Sequence, residues 1–153
     1  MPSAAEGAAI YTLDASVHVS ALNPADPNSD TSQALLALLY ECRKPLISPT
    51  LLVVEVAAAV ARALGDSERG ANMAAAIRDL PGQILVPLDR GLADRAAWLA
   101  ASRRLRGADA VYAAVAQRYG AVLVTFDRQQ LERLPPAVPT VQPADLLRDL
   151  QAL

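Results

Sequence analysis

The chain has 153 residues, a length suited to one domain whose core needs no covalent staple. Its residues are 53% hydrophobic, 20% charged and only 4% aromatic, so the interior must be built from Ala, Leu and Val, as in tightly packed helices on a small sheet. A net charge of -2, one cysteine (Cys42) and one histidine (His18) exclude a disulfide framework and a zinc site built from several thiolates or imidazoles, and weigh against a simple nucleic-acid coating protein.

In chain order, "AAIYTL" reads as a buried strand ending at Asp14, and "DASVHVSAL" as a short helix that stops before the turn-rich "NPADPNSD". Asp30, Thr31 and Ser32 offer N-caps for a helix over "SQALLALLYECR". "PLIS" reads as a second strand. In "SPTLLVVEVAAAVARALG" Pro49 suits a helix start and Gly65 a C-terminal cap. "DSERGANMAAAIRDL" is a further helix opening on a capping pattern, and "QILVPL" is a third strand. "GLADRAAWLAASRRL" and "ADAVYAAVAQRYG" form two helices broken at Gly107, with Trp98 expected in the core. "AVLVTF" is the clearest buried strand and runs directly into Asp127. "RQQLERL" is a short helix, "PAVPTVQ" carries an edge strand, and "PADLLRDLQAL" is a final helix with Pro143 near its start.

This alternation predicts an α/β fold with a mainly parallel central sheet. Residues 8–153 are expected to form the single domain, with residues 1–7 as a flexible extension. "MPSAAEGAAIYTL" lacks the basic start and long apolar core of a secretory signal, and Glu55 and Arg62 interrupt the longest apolar run. No membrane span and a cytoplasmic location are therefore expected.

Glu55 stands alone in "LLVVEVAAAVA", where an ionised carboxylate is costly unless something compensates it. Arg62, two turns along, is one candidate partner, although an ion pair in dry helix packing gains little. In open α/β sheets ligands bind outside the carboxyl ends of the strands. Asp14 and Asp127 sit at such ends, Glu55 lies about one turn into the helix after the second strand, and Asp109 opens the helix before the strand that ends at Asp127. Singly, Asp14, Asp109 and Asp127 also read as helix caps. Clustered, the carboxylates would repel and demand cations, and hard divalent ions such as Mg²⁺ or Mn²⁺ answer that demand.

"YTLDASVHVSAL", "LLVVEVAAAVAR" and "LRGADAVYAAVAQRYGAVLVTFD" resemble the motifs of PIN-domain ribonucleases, particularly the VapC toxins of toxin–antitoxin pairs. The resemblance implies a three-layer α/β/α sandwich. It also implies that Asp14, Glu55, Asp109 and Asp127 are the acidic, metal-binding catalytic set, with Ser16 and Thr125 as supporting hydroxyls. In the family these residues bind Mg²⁺ or Mn²⁺ and direct a water at a scissile RNA phosphate, so no histidine base is needed and His18 reads as an ordinary helix-face residue.

Arg103, Arg104 and Arg106 precede the third acid and read either as a solvated helix end or as docking points for a substrate phosphate. The resemblance further implies a cognate antitoxin and a homodimer. Alternatives are a PIN-domain RNA-processing nuclease without an antitoxin and a catalytically silent PIN-fold binding module. A receiver-type phosphoacceptor also places acids at strand ends, but it normally has a lysine late in the sheet, and the sole lysine, Lys44, precedes the second strand.

Overall fold

The computed structural model describes residues 9–153; the extension expected over residues 1–7, and residue 8 at the domain boundary, lie outside them. Five strands, β1 (Tyr11–Leu13), β2 (Leu46–Pro49), β3 (Gln83–Val86), β4 (Val122–Val124) and β5 (Thr140–Val141), pair in parallel in the order β3-β2-β1-β4-β5. The chain builds outward from β1 through β2 to β3, then crosses back to place β4 on the other side of β1. The direction of winding thus reverses between β1 and β4, and a crevice opens there at the carboxyl ends.

Among the described residues eight helices flank the sheet: α1 (Ala15–Leu22), α2 (Ser29–Glu41), α3 (Leu51–Leu64), α4 (Ser67–Arg78), α5 (Arg90–Arg103), α6 (Gly107–Tyr119), α7 (Arg128–Arg133) and α8 (Pro143–Gln151). Alternation along the strands divides the interior into two layers. Tyr11, Leu13, Leu46 and Val124 pack with Leu35 and Leu39 of α2 and Leu146 of α8. Ile47 and Leu123 turn to the opposite face, where they join Leu52, Val56 and Val60 of α3, Leu92 and Leu99 of α5, and α6. The three-layer α/β/α sandwich implied by the motifs is the fold observed.

Helix α6 is buried along the whole run Ala110–Ala116, and its alanines let it lie close against the strands. Gly65 and Gly120, both at φ 63°, close α3 and α6 in the left-handed conformation that glycine adopts without strain. Asp66 and Asp89 cap α4 and α5 by accepting from the backbone N–H groups of Arg69 and Leu92.

Several local expectations are corrected. Pro49 ends β2 rather than opening α3, because its missing N–H costs nothing at a strand end, and Thr50 intervenes before the helix. Helix α2 begins at Ser29, so Asp30, Thr31 and Ser32 occupy its first turn instead of capping it. The break between α5 and α6 is made by Arg104, at φ 54°, while Gly107 is already helical. Trp98 is 62% exposed: the buried stripe of α5 runs through Leu92, Ala96 and Leu99, and position 98 lies off it. His18 lies on the buried face of α1, and burial lowers its pKa to about 4, so the ring is neutral.

Helix α4 lies close against α3 at Gly70, where a Cβ would stand 2.6 Å from the Ala57 carbonyl oxygen and 2.8 Å from the Ala61 Cβ. Alanine is the better helix former by about 1 kcal/mol, but overpacking costs about 1–3 kcal/mol. Gly70→Ala is therefore expected to lower the urea midpoint, whereas Gly107→Ala, whose Cβ meets nothing within 4 Å, leaves it unchanged or raises it.

Candidate active site

Asp14 follows β1 directly, and its N–H donates to the Val124 carbonyl at 3.0 Å, extending the β1–β4 ladder by one step. The residue is almost fully buried. Although Asp14 occupies the N-cap position of α1, its carboxylate makes no capping bond. Its Oδ2 instead accepts from Thr125 Oγ1 at 2.9 Å, Ser16 Oγ at 3.0 Å and, more distantly, Gln130 Nε2 at 3.4 Å. The buried Thr125 hydroxyl also accepts from the Asp127 N–H at 3.0 Å, so one oxygen links the carboxyl ends of β1 and β4.

Glu55 is half-buried one turn into α3, beside Ser16 and Ala15 along the α1–α3 groove. Tyr112 Oη, from the fully buried Tyr112 side chain of α6, donates to Glu55 Oε1 at 2.6 Å. Burial raises the Glu55 pKa above its ordinary value, and the negative charges of Asp14 and Asp109 add to the rise; the Tyr112 bond and Arg106 oppose it. The Tyr112 hydroxyl is held firmly protonated by burial and by the carboxylate it serves. Arg62 lines the same groove but, among the described residues, forms no ion pair with Glu55.

Asp109 lies in the first turn of α6 and Asp127 at the start of α7; their side chains are 15% and 22% exposed. Asp127 Oδ1 caps α7 by accepting from the Gln130 N–H at 2.9 Å. Arg106, 75% exposed, bridges the two acids: Nε donates to Asp109 Oδ2 at 3.1 Å and Nη2 to Asp127 Oδ2 at 3.0 Å. Burial raises Asp109, repulsion from Asp14 adds to the rise, and Arg106 opposes it.

Arg103 ends α5, and Arg104 follows it in the left-handed turn. Both line an open cleft with Arg133 of α7, whose Nη1 donates to the Arg104 carbonyl at 2.5 Å. A neighbouring groove is lined by Arg106, Asp127, Arg128 and Gln129.

The acids expected to meet are thus brought to one sheet edge, close enough for Glu55 and Asp109 both to feel Asp14. Among the described residues no three acidic, histidine or cysteine side chains are grouped tightly enough to hold an ion as they stand, and Arg106 occupies the space between two of them. The donor chemistry nonetheless fits a hard divalent cation, being carboxylate and hydroxyl oxygen without thiolate or imidazole. Burial first, and the neighbouring carboxylates second, raise Glu55 and Asp109, so both carry a cost when ionised that a bound cation would offset.

Sequence reasoning missed Tyr112 and Gln130. Tyr112 falls three residues after Asp109, which places the two near one face of α6, and that spacing was the available signal. Gln130 lies one turn beyond Asp127, and no pattern in the chain marks it.

The PIN domain family model matches residues 11–135. The chain belongs to the PIN-domain family. No curated protein matches it. Among solved structures it is similar to VapC20 of Mycobacterium tuberculosis, described as a sarcin-ricin loop cleaving toxin, with 24% identity over 77% of this chain and 90% of that one and a TM-score of 0.64. It is also similar to VapBC2 of Rickettsia felis bound to a promoter DNA fragment, with 16% identity, coverage of 87% and 98%, and a TM-score of 0.67. A toxin–antitoxin complex from Klebsiella pneumoniae shares 17% identity, coverage of 88% and 97%, and a TM-score of 0.61. At these identities the neighbours show that the PIN chain shares their fold.

The raised Glu55 makes the cation-free PIN domain sensitive to pH. Because the folded state holds this proton more tightly than the unfolded chain, the associated stability is full below the ordinary carboxylate value and is lost as pH rises through the raised one. Glu55→Gln keeps an oxygen for Tyr112 and removes that loss. Its unfolding midpoint in chelator at pH 7 is expected to exceed wild type by roughly 2–4 °C, with the difference vanishing below about pH 4 in a calorimetric series.

Proposed function

We propose that this PIN domain is a divalent-metal-dependent endoribonuclease, the toxin of a VapBC-type toxin–antitoxin pair. The observation that carries the reading is the meeting of Asp14, Glu55, Asp109 and Asp127 at the carboxyl edge of the sheet, where Glu55 and Asp109 are raised by burial and by their acidic neighbours. The description of VapC20 as a toxin that cleaves the sarcin-ricin loop supports RNA as substrate, and the toxin–antitoxin complex from K. pneumoniae supports an antitoxin partner. A homodimer and a cytoplasmic location belong to the same proposal.

In this reading the four carboxylates hold Mg²⁺ or Mn²⁺. The bound cation supplies Lewis acidity at the scissile phosphate and lowers the pKa of water. The protein's part is orientation. Thr125 and Ser16 fix Asp14 through Oδ2 and leave its other oxygen without a protein donor among the described residues; Tyr112 does the same for Glu55 through Oε1. Arg103 and Arg104, with Arg133 beside them, supply guanidinium groups on the cleft wall to which the flanking phosphates dock, and Arg106 does so at the acids themselves.

Purified protein incubated with a mixed RNA pool tests the proposal. Cleavage is expected with Mn²⁺ or Mg²⁺ and is expected to stop with chelator and in the folded Asp14→Asn, Asp109→Asn double variant. Failure of the folded, metal-bound wild type to cut tRNA, rRNA or mRNA would favour a silent binding module instead. Thr125→Val, which removes the hydroxyl that orients Asp14, is expected to lower the cleavage rate by about 10–100-fold while circular dichroism stays native.

A further inference from the structure

The oxygens of the acidic set are shared out unevenly. Asp14 commits Oδ2 to Thr125 and Ser16, and Glu55 commits Oε1 to Tyr112; among the described residues Asp14 Oδ1 and Glu55 Oε2 have no protein donor. Asp127 is different. Its Oδ1 is bound by the Gln130 N–H at the head of α7, and its Oδ2 is bound by Arg106 Nη2 at 3.0 Å, so both of its oxygens are engaged. Asp109 shares the same guanidinium through Oδ2 at 3.1 Å.

We propose that Arg106 is the resident counter-charge of the acidic set and controls whether Asp127 can act as a cation ligand. The inference rests on the metal-dependent reading above. With no cation bound, Arg106 neutralises Asp109 and Asp127 from α6's own N-terminal edge and lowers the repulsion around Glu55. Asp127 Oδ2 is the oxygen turned from the helix cap, and a cation bound there would meet the guanidinium as a like charge at close range, so Arg106 must move aside for Asp127 to act as a ligand. Leaving is structurally cheap: the guanidinium is 75% exposed, and its departure exposes it to water without opening a cavity. The released side chain stays at the mouth of the groove formed with Arg128 and Gln129, so the docking of phosphate on Arg106 is tied to occupancy of the acids.

A cation and Arg106 then compete for the oxygens Arg106 holds, Asp127 Oδ2 foremost, and removing Arg106 must strengthen cation binding. Mn²⁺ affinity measured by titration calorimetry and by the loss of the free-ion electron paramagnetic resonance signal reads this directly, without RNA. Arg106→Gln is expected to bind Mn²⁺ several-fold more tightly than wild type. In an Asp127→Asn background, where the amide oxygen still caps α7, the gain is expected to shrink to the part that comes from releasing Asp109. Arg104→Gln removes the same charge nearby without touching either acid and is expected to leave the affinity near wild type.

Equal Mn²⁺ binding by wild type and Arg106→Gln would overturn this inference alone and leave the nuclease reading standing. So would an equal gain in Arg104→Gln, which would mark a general field effect, or a gain that is undiminished in Asp127→Asn. Absence of Mn²⁺ binding in both wild type and Arg106→Gln would overturn the inference together with the metal-dependent reading.

Discussion

The Thr125 hydroxyl sits at the switch point of the sheet, donating to Asp14 Oδ2 at 2.9 Å and accepting from the Asp127 N–H at 3.0 Å. Asp14 follows β1 and Asp127 follows β4, so a single buried group fixes one acid by its side chain and the other by its backbone. The Thr125 N–H is itself bonded to the Val141 carbonyl of β5, which ties the hydroxyl's position to the sheet ladder rather than to a loose loop. The separation of these two acids is therefore set by strand pairing.

The other two acids are referred to α6. Asp109 belongs to its first turn, and Glu55, although it rides on α3, is held by Tyr112 one turn further along α6. Because α6 is buried on all sides from Ala110 to Ala116, it cannot shift without disturbing the main core. The site is thus the meeting of two rigid references, a strand pair and a buried helix. The cost appears as charge: burial and mutual repulsion raise Glu55 and Asp109, and Arg106 offsets only part of that strain. A stability concession at one locus, surrounded by a well-packed interior, is what a ligand-binding site built into a fold requires.

Much of this was legible in the chain. Short apolar runs ending in an acid, such as "YTLD" and "LVTFD", announce both the strand and the group at its carboxyl end, because a buried parallel strand reads as a continuous apolar stretch. Glu55 was legible for the opposite reason, as a charge where the helix pattern demands none. What escaped were features that depend on which way a side chain turns after packing. Trp98 looks like core by composition, yet it misses the buried stripe of α5 by a fraction of a turn. Arg106 looks like one of a basic run, yet the left-handed turn at Arg104 separates it from its neighbours and aims it at Asp109 and Asp127. Tyr112 is indistinguishable in sequence from any aromatic core residue until its hydroxyl meets Glu55.

Helix α7 gives the double engagement of Asp127 a wider meaning. With only six residues it is far too short to persist on intrinsic propensity and depends on its ends and on packing. Its first turn is closed by the same carboxylate that faces the cleft, through the Gln130 N–H. Gln130 also reaches back toward Asp14, so its amide proton and its side chain sense two of the acids at once. Any event that reorients the Asp127 carboxylate must change how often that first turn opens. The hydrogen-exchange rate at Gln130 is accordingly a built-in gauge of the acidic cleft, read from backbone protons without any added label.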